Sequence, residues 1–183
     1  MANMIFRTEL KLKPWAKRLN YSSRIVTLGS CFASNIAQRL SKSKFKVTDS
    51  PTGILFNPAS IARSVELMTS DATIAKESLT QLGNRYVSYE AHSSLSGATM
   101  ESATDAINTA LRIGGEAIAQ CDIAIITLGT AWVYRLRSTN EVVANCHKQP
   151  SSLFRRELLS VDECVEALES IVAHAPRRVL FTL

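Results

Sequence analysis

Residues 27–35 read Thr-Leu-Gly-Ser-Cys-Phe-Ala-Ser-Asn (TLGSCFASN), and the fold turns on this stretch. Upstream, Ile25 to Leu28 is a short apolar run that opens with two β-branched residues and stops at Gly29. Downstream, Phe32, Ile36 and Leu40, with Ala33 and Ala37 beside them, recur at the i, i+4, i+8 spacing of one helix face. The stretch therefore reads as a strand, a tight turn and a helix from Cys31 to about Ser41. Two nucleophile types, Ser30 and Cys31, stand side by side in the turn.

The same alternation continues outward. Phe45 to Thr48 is a candidate second strand. Asn57-Pro58 opens a helix, because Asn is a favoured N-cap and Pro suits the first helical position; Ile61, Val65 and Met68 form its stripe, and it ends near Thr69. Residues 70–100 are less regular, with a possible strand at Tyr86 to Tyr89 followed by the polar loop HSSLSG. A long helix is expected from about Glu101 to Gln120, with Ala103, Ile107, Ala110, Leu111, Gly114 and Ile118 inward and Gly114-Gly115 weakening it locally. Ile123 to Leu128 is continuously apolar, as a strand covered on both faces should be.

Trp132 to Leu136 and Val142 to Ala144 flank the polar stretch Arg137 to Glu141, which predicts a hairpin projecting from the strand's exit. Ser160 and Glu163 have capping-box spacing, and Val161, Cys164, Val165, Leu168 and Val172 share a face of the helix they open. The chain finishes on the apolar strand Val179 to Leu183. Strands alternating with helices predict an α/β fold with a mainly parallel sheet and helices on both sides. In such sheets ligands bind beyond the carboxyl ends of the strands, so the loops beginning Gly29-Ser30 and Gly129-Thr130 should face the site.

Composition narrows the function. A chain of 183 residues is the size of one domain, and 46% apolar against 20% charged residues describes a globular protein rather than a disordered one. The residues near the N-terminus mix charge into apolar sequence, and no window has about 18 apolar residues, so neither a signal peptide nor a membrane span is expected, and a cytoplasmic location is. Cys31, Cys121, Cys146 and Cys164 then read as thiols, and they contain no C-x-x-C pair that would suggest zinc. The net charge of +5 is spread over Lys11, Lys13, Lys17, Lys42, Lys44, Lys46, Arg155, Arg156, Arg177 and Arg178. Without aromatic interleaving or a recognition motif, these are solvated faces and not a nucleic-acid surface.

TLGSCFA also resembles the signature of the GSCFA family, and further segments agree in order: FRTEL near the start, GILFNPASIA, the loop containing His92, ITLGTAWVY, and NCHKQP followed by LLSV. The family is similar to the SGNH or GDSL hydrolases. That resemblance implies a three-layer α/β/α sandwich, flavodoxin-like in outline, and transfer or hydrolysis of acyl groups, often on small-molecule, carbohydrate or lipid-linked esters, without a cofactor. Placing Gly29-Ser30-Cys31 on the family's Gly-Asp-Ser puts Cys31 at the nucleophile position. Gly129-Thr130 falls on the Gly-Thr of an oxyanion block whose Asn is here Ala131, and Gly53 is the candidate for the second oxyanion glycine. Family members continue beyond the strand resembling VLFTL into a Ser-Pro-Val-Arg-His-like block holding the late His. The chain is thus expected to be either a fragment of a longer protein or a form without that His, which keeps a non-catalytic ligand-binding domain as the alternative.

Residue chemistry supplies the remaining candidates. An anionic sulfur in the first turn of a helix is stabilised by the macrodipole, which suits Cys31; Ser30 is either a nucleophile or the helix cap. His147 is the best remaining general base, and Lys148 would steady an anion. Cys146 and His147 are too close in sequence to share one metal ion with Cys31 in good geometry, so no metal is expected. Asn57 serves as cap, oxyanion donor or both. His92 lines the cleft or lies in a surface loop, His174 suits a helix C-terminus, and Trp132 packs the hairpin in preference to stacking a sugar. An uncovered terminal strand leaves a homo-oligomer open.

Overall fold

The computed structural model describes residues 13–16, 18–175 and 178–183. The FRTEL segment, Lys11, Lys17, Pro176 and Arg177 lie outside the described residues. The elements in chain order are β1 (Arg24–Gly29), α1 (Cys31–Lys42), β2 (Lys46–Asp49), α2 (Pro58–Thr69), β3 (Thr80–Leu82), β4 (Arg85–Val87) and α3 (Met100–Gln120). After them come β5 (Ile123–Thr127), β6 (Trp132–Leu136), β7 (Phe154–Leu158), α4 (Val161–His174) and β8 (Val179–Thr182).

Four strands form a parallel sheet in the order β2-β1-β5-β8. The fold is therefore α/β, as the alternation of the sequence predicts. β5 is buried at every position, which is why IAIIT carries no polar alternation. One sheet face, with Val26, Leu28, Ala124 and Ile126, packs on Ile61 and Val65 of α2, Ile107, Leu111 and Ile118 of α3, and Ala167 and Ile171 of α4. The opposite face, with Ile25, Ile123 and Ile125, meets Leu40 of α1 together with Leu19, Phe45 and Val47. The layers are unequal, three helices against one.

Helix placement differs from the expected stripes in three respects. In α1 the fully buried positions are Ala33 and Ala37, whereas Phe32 is 51% exposed, because the small alanines bring the helix backbone close to the sheet and turn the ring outward. In α4 the buried positions are Ala167 and Ile171. The face that includes Val161, 79% exposed, and the exposed Val165 and Val172 points away from the core, since α4 enters the core through Ala167 and Ile171. In α3, Gly114 and Gly115 do more than loosen the helix: a Cβ on Gly114 would strike the Met68 sulfur and one on Gly115 the Met68 carbonyl. The pair lets the end of α2 approach α3.

The expected hairpin is also rebuilt. Leu136 and Glu141 do close a turn, with Asn140 at φ +64, and Arg135 and Val142 form an isolated bridge. The chain then leaves, Ala144 N–H donating to the Tyr89 carbonyl. The full antiparallel partner of β6 is β7, in register from Trp132 opposite Leu158 to Leu136 opposite Phe154. FRREL conceals this strand because both of its faces carry an arginine. Around residue 86 the strand is β4, paired with β3 across the two-residue Gly83-Asn84 turn. Caps match expectation at α2, where Asn57 Oδ1 accepts from Ser60 N–H at 2.8 Å, and at α4, where Ser160 and Glu163 form a reciprocal capping box.

Among the described residues no helix is long and apolar enough to cross a membrane. All four cysteines are free thiols.

Candidate functional site at the exits of β1 and β5

Gly29 ends β1 at φ +125, and a Cβ there would lie inside contact distance of the Thr127 carbonyl oxygen on β5. Only glycine reaches this conformation with this clearance. The close approach lets Ser30 N–H donate to Thr127 O at 3.0 Å and sends the chain directly into α1. Ser30 occupies the N-cap position, yet its hydroxyl makes no capping bond, and no described residue hydrogen-bonds to it. The residue is 8% exposed.

Cys31 is the first residue of α1, and it is exposed. Ala33 N–H returns to the Ser30 carbonyl at 2.8 Å, while the N–H groups of Cys31 and Phe32 are unclaimed among the described residues. Two free amide donors thus sit at the positive end of the helix beside the thiol. One turn further along α1, Ser34 Oγ donates to Asp49 Oδ1 at 3.0 Å, and Thr27 Oγ1 donates to the same oxygen at 3.0 Å. Asp49 ties the start of α1 to β1 and β2. Its signal in the sequence is an Asp closing the strand KVTD, which is not among the expected site residues.

Residues 50–57 cross both strand exits. Ser50 N–H donates to Thr27 O at 2.8 Å, and Leu55 N–H to Gly29 O at 2.9 Å. Phe56 O accepts from both Gly129 N–H and Thr130 N–H, at 2.8 and 3.1 Å. A Cβ on Gly129 would sit 3.2 Å from the Phe56 ring and 3.4 Å from Ser30 Cβ, so Ser30, Phe56 and Gly129 converge. Thr130 Oγ1 accepts from Trp132 N–H at 3.0 Å. Asn57, buried next to this crossing, uses Oδ1 for its cap, and no described residue engages its Nδ2 donors.

Gly53 is engaged differently from the role the resemblance implies. Its N–H donates to Ser50 O at 2.8 Å, closing a turn at φ +86, and a Cβ on it would run into the His92 side chain. Its N–H is spent on the turn, so among the described residues the free donors at this site belong to Cys31, Phe32 and Asn57.

The histidines form a second cluster, beyond Gly53. His147 and Lys148 are consecutive residues in left-handed conformation, at φ +50 and +57. That costly pair is held by His147 N–H donating to Asn145 Oδ1 at 2.7 Å and by the ring itself. Since a carbonyl only accepts, the 2.8 Å contact of Nε2 with Ser88 O assigns the proton to Nε2, and Nδ1 accepts from Ser93 Oγ at 2.9 Å. Burial lowers the His147 pKa, the Ser88 carbonyl opposes this, and neighbouring His92 adds to it. His92 Nδ1 accepts from Ser94 N–H at 3.2 Å. No hydrogen bond joins either histidine to Ser30 or Cys31 among the described residues, and Lys148 is exposed. Burial also raises the Cys146 pKa, which disfavours a thiolate there. Among the described residues no three His, Cys, Asp or Glu side chains are grouped to hold a metal ion.

No curated protein and no solved structure matches the chain. The model of the GSCFA family matches residues 24–182, from the first residue of β1 to the last of β8, and so includes both strand exits and the loop that crosses them. By that match the chain belongs to the GSCFA family.

Proposed function

We propose that the exits of β1 and β5 form an acyl-transfer site, acting as a hydrolase or acyltransferase on small-molecule or carbohydrate esters. The observation that carries the reading is Cys31: an exposed thiol on the first residue of α1, with the unclaimed N–H groups of Cys31 and Phe32 beside it. The Cys31 thiolate attacks the ester carbonyl, and the developing oxyanion is held by those amides and by the Asn57 Nδ2 donors. The alcohol leaves with a proton from solvent, and water or an acceptor hydroxyl then attacks the thioester, returning the sulfur. Ser30, whose hydroxyl has no partner among the described residues, is the second candidate nucleophile. No metal or organic cofactor enters these steps.

A second reading, ligand binding without turnover, is favoured by one observation: both ring nitrogens of His147 are committed to Ser93 and Ser88. Labelling separates the two. Iodoacetamide and a fluorophosphonate, followed by mass spectrometry, should modify Cys31 faster than a free-thiol standard, and Cys31→Ala should abolish hydrolysis of p-nitrophenyl acetate. If neither Cys31 nor Ser30 reacts above the standard and hydrolysis stays at the background rate, the acyl-transfer reading falls.

A further inference from the structure

Adjacent arginines of β7 face opposite sides of the β6–β7 ribbon, and among the described residues only one is neutralised. Arg155 bonds Glu157 and Asn140 Oδ1, both at 2.9 Å. Arg135 beside it bonds Glu157 and, at 3.3 Å, Glu163. That face closes its own charges. Arg156 lies on the other face, in register opposite Tyr134, with its guanidinium carbon 4.0 Å from the centroid of the Trp132 ring. It is exposed and has no carboxylate partner among the described residues. Trp132 and Tyr134 are 40% and 41% exposed, so the indole packs on the ribbon through Arg156 and still leaves part of its surface open.

This face begins where the candidate site ends. Trp132 lies three residues after Gly129, a span of at most about 11 Å, and its N–H is fixed to Thr130 Oγ1. A guanidinium resting on an indole is held in one plane while its N–H donors stay free, and that planar fork fits the two oxygens of a carboxylate or phosphate. We infer that Arg156, held on Trp132 and in register opposite Tyr134, receives an anionic group of the substrate, a carboxylate or a phosphate monoester. The inference rests on the acyl-transfer reading for the identity of the neighbouring site. The recognition itself needs no turnover.

Calorimetric titration of the full chain with glucose 6-phosphate, glucuronate and glucose tests it. At least one anionic sugar should bind tenfold or more tightly than glucose, and the stronger of the two identifies phosphate or carboxylate as the group. Arg156→Leu should remove that preference, Arg156→Gln should repeat the loss without adding an apolar side chain, and Arg155→Leu should retain it. Equal affinity for all three sugars, no binding of any, or a preference that survives Arg156→Leu overturns the inference. Unreactive Cys31 and Ser30 in the labelling experiment would remove the chemistry and leave this binding result standing, so the two failures are distinguishable.

Discussion

β1 and β5 leave the sheet through the same form, Leu28-Gly29-Ser30 and Leu128-Gly129-Thr130, and the two glycines do unlike work. Gly29 sits at φ +125 with the Thr127 carbonyl where a side chain would go; Gly129 has no positive φ, and its nearest obstacle is the Phe56 ring. The first glycine is a backbone requirement, because a carbonyl in a sheet cannot move aside. The second is a matter of fit against a ring that can. The segments beyond the two exits complete the difference: Ser30 leads into a helix whose first two amides, of Cys31 and Phe32, are unclaimed among the described residues, whereas the amides of Gly129 and Thr130 are both spent on Phe56 O. Similar tripeptides at two strand ends thus mark one candidate reaction centre and one wall beside it.

The sharpest test compares the two glycines. Gly29→Ala should cost more than about 3 kcal/mol or prevent folding, by strain and by collision with Thr127 O. Gly129→Ala should cost about 1 kcal/mol or less, and urea unfolding measures both. Equal costs would break the distinction. Next in size, Asn57→Ala should lose about 1 kcal/mol of stability with the α2 cap. Asn57→Asp, which keeps the capping oxygen and removes the amide donors, should stay near wild-type stability while losing ester hydrolysis.

Smaller effects come from thiols and histidine. Cys121, at the entrance to β5, has its pKa raised to about 11, chiefly by burial, so its neutral form belongs to the folded state. Its contribution is full below about pH 9 and is lost as pH rises through 11, a decline that Cys121→Ala should flatten in melting temperatures. At pH 8, alkylation of the native protein should reach Cys31 and spare Cys121. For His147 the shift is downward, so its contribution is present above pH 6.5 and lost as pH falls through the lowered native value. His147→Gln should blunt that acid-side loss.

Legibility in the sequence tracks the range of the determining interactions. β1, β5, the α2 cap and the α4 capping box depend on residues within a few positions of each other, and each stands where its local pattern places it. The partner of β6 does not: Val142-Val143 is the nearer apolar pair, yet it contributes one bridge, and β7 arrives from well beyond the ribbon's turn at positions that look solvated. The Gly83-Asn84 turn carries a local signal, since a two-residue loop containing glycine marks a hairpin, but the strands it joins are three residues each and show no clear alternation. The outward face of α4 shows the limit of periodicity, which groups residues on a face but cannot say which neighbour the face meets. At the site, residue types near the turn identify Ser30, Cys31 and Asn57 as candidates. Whether an N–H is free depends on contacts the local pattern does not show: Ser30 N–H is spent on Thr127 O, nearly a hundred positions away, and Gly53 N–H on a turn to Ser50 O.

The pairing of β1 has a consequence for how the chain is made. Its partner on one side, β2, comes at once, with Asp49 only 22 residues from Thr27, but the other edge waits for β5, where Arg24 meets Asp122 across 98 residues. At about 5–20 residues per second, translation leaves that edge bare for roughly 5 to 20 s. During that interval an apolar strand with open amides is available to any neighbouring nascent chain, so the speed of elongation through α3 bears directly on yield.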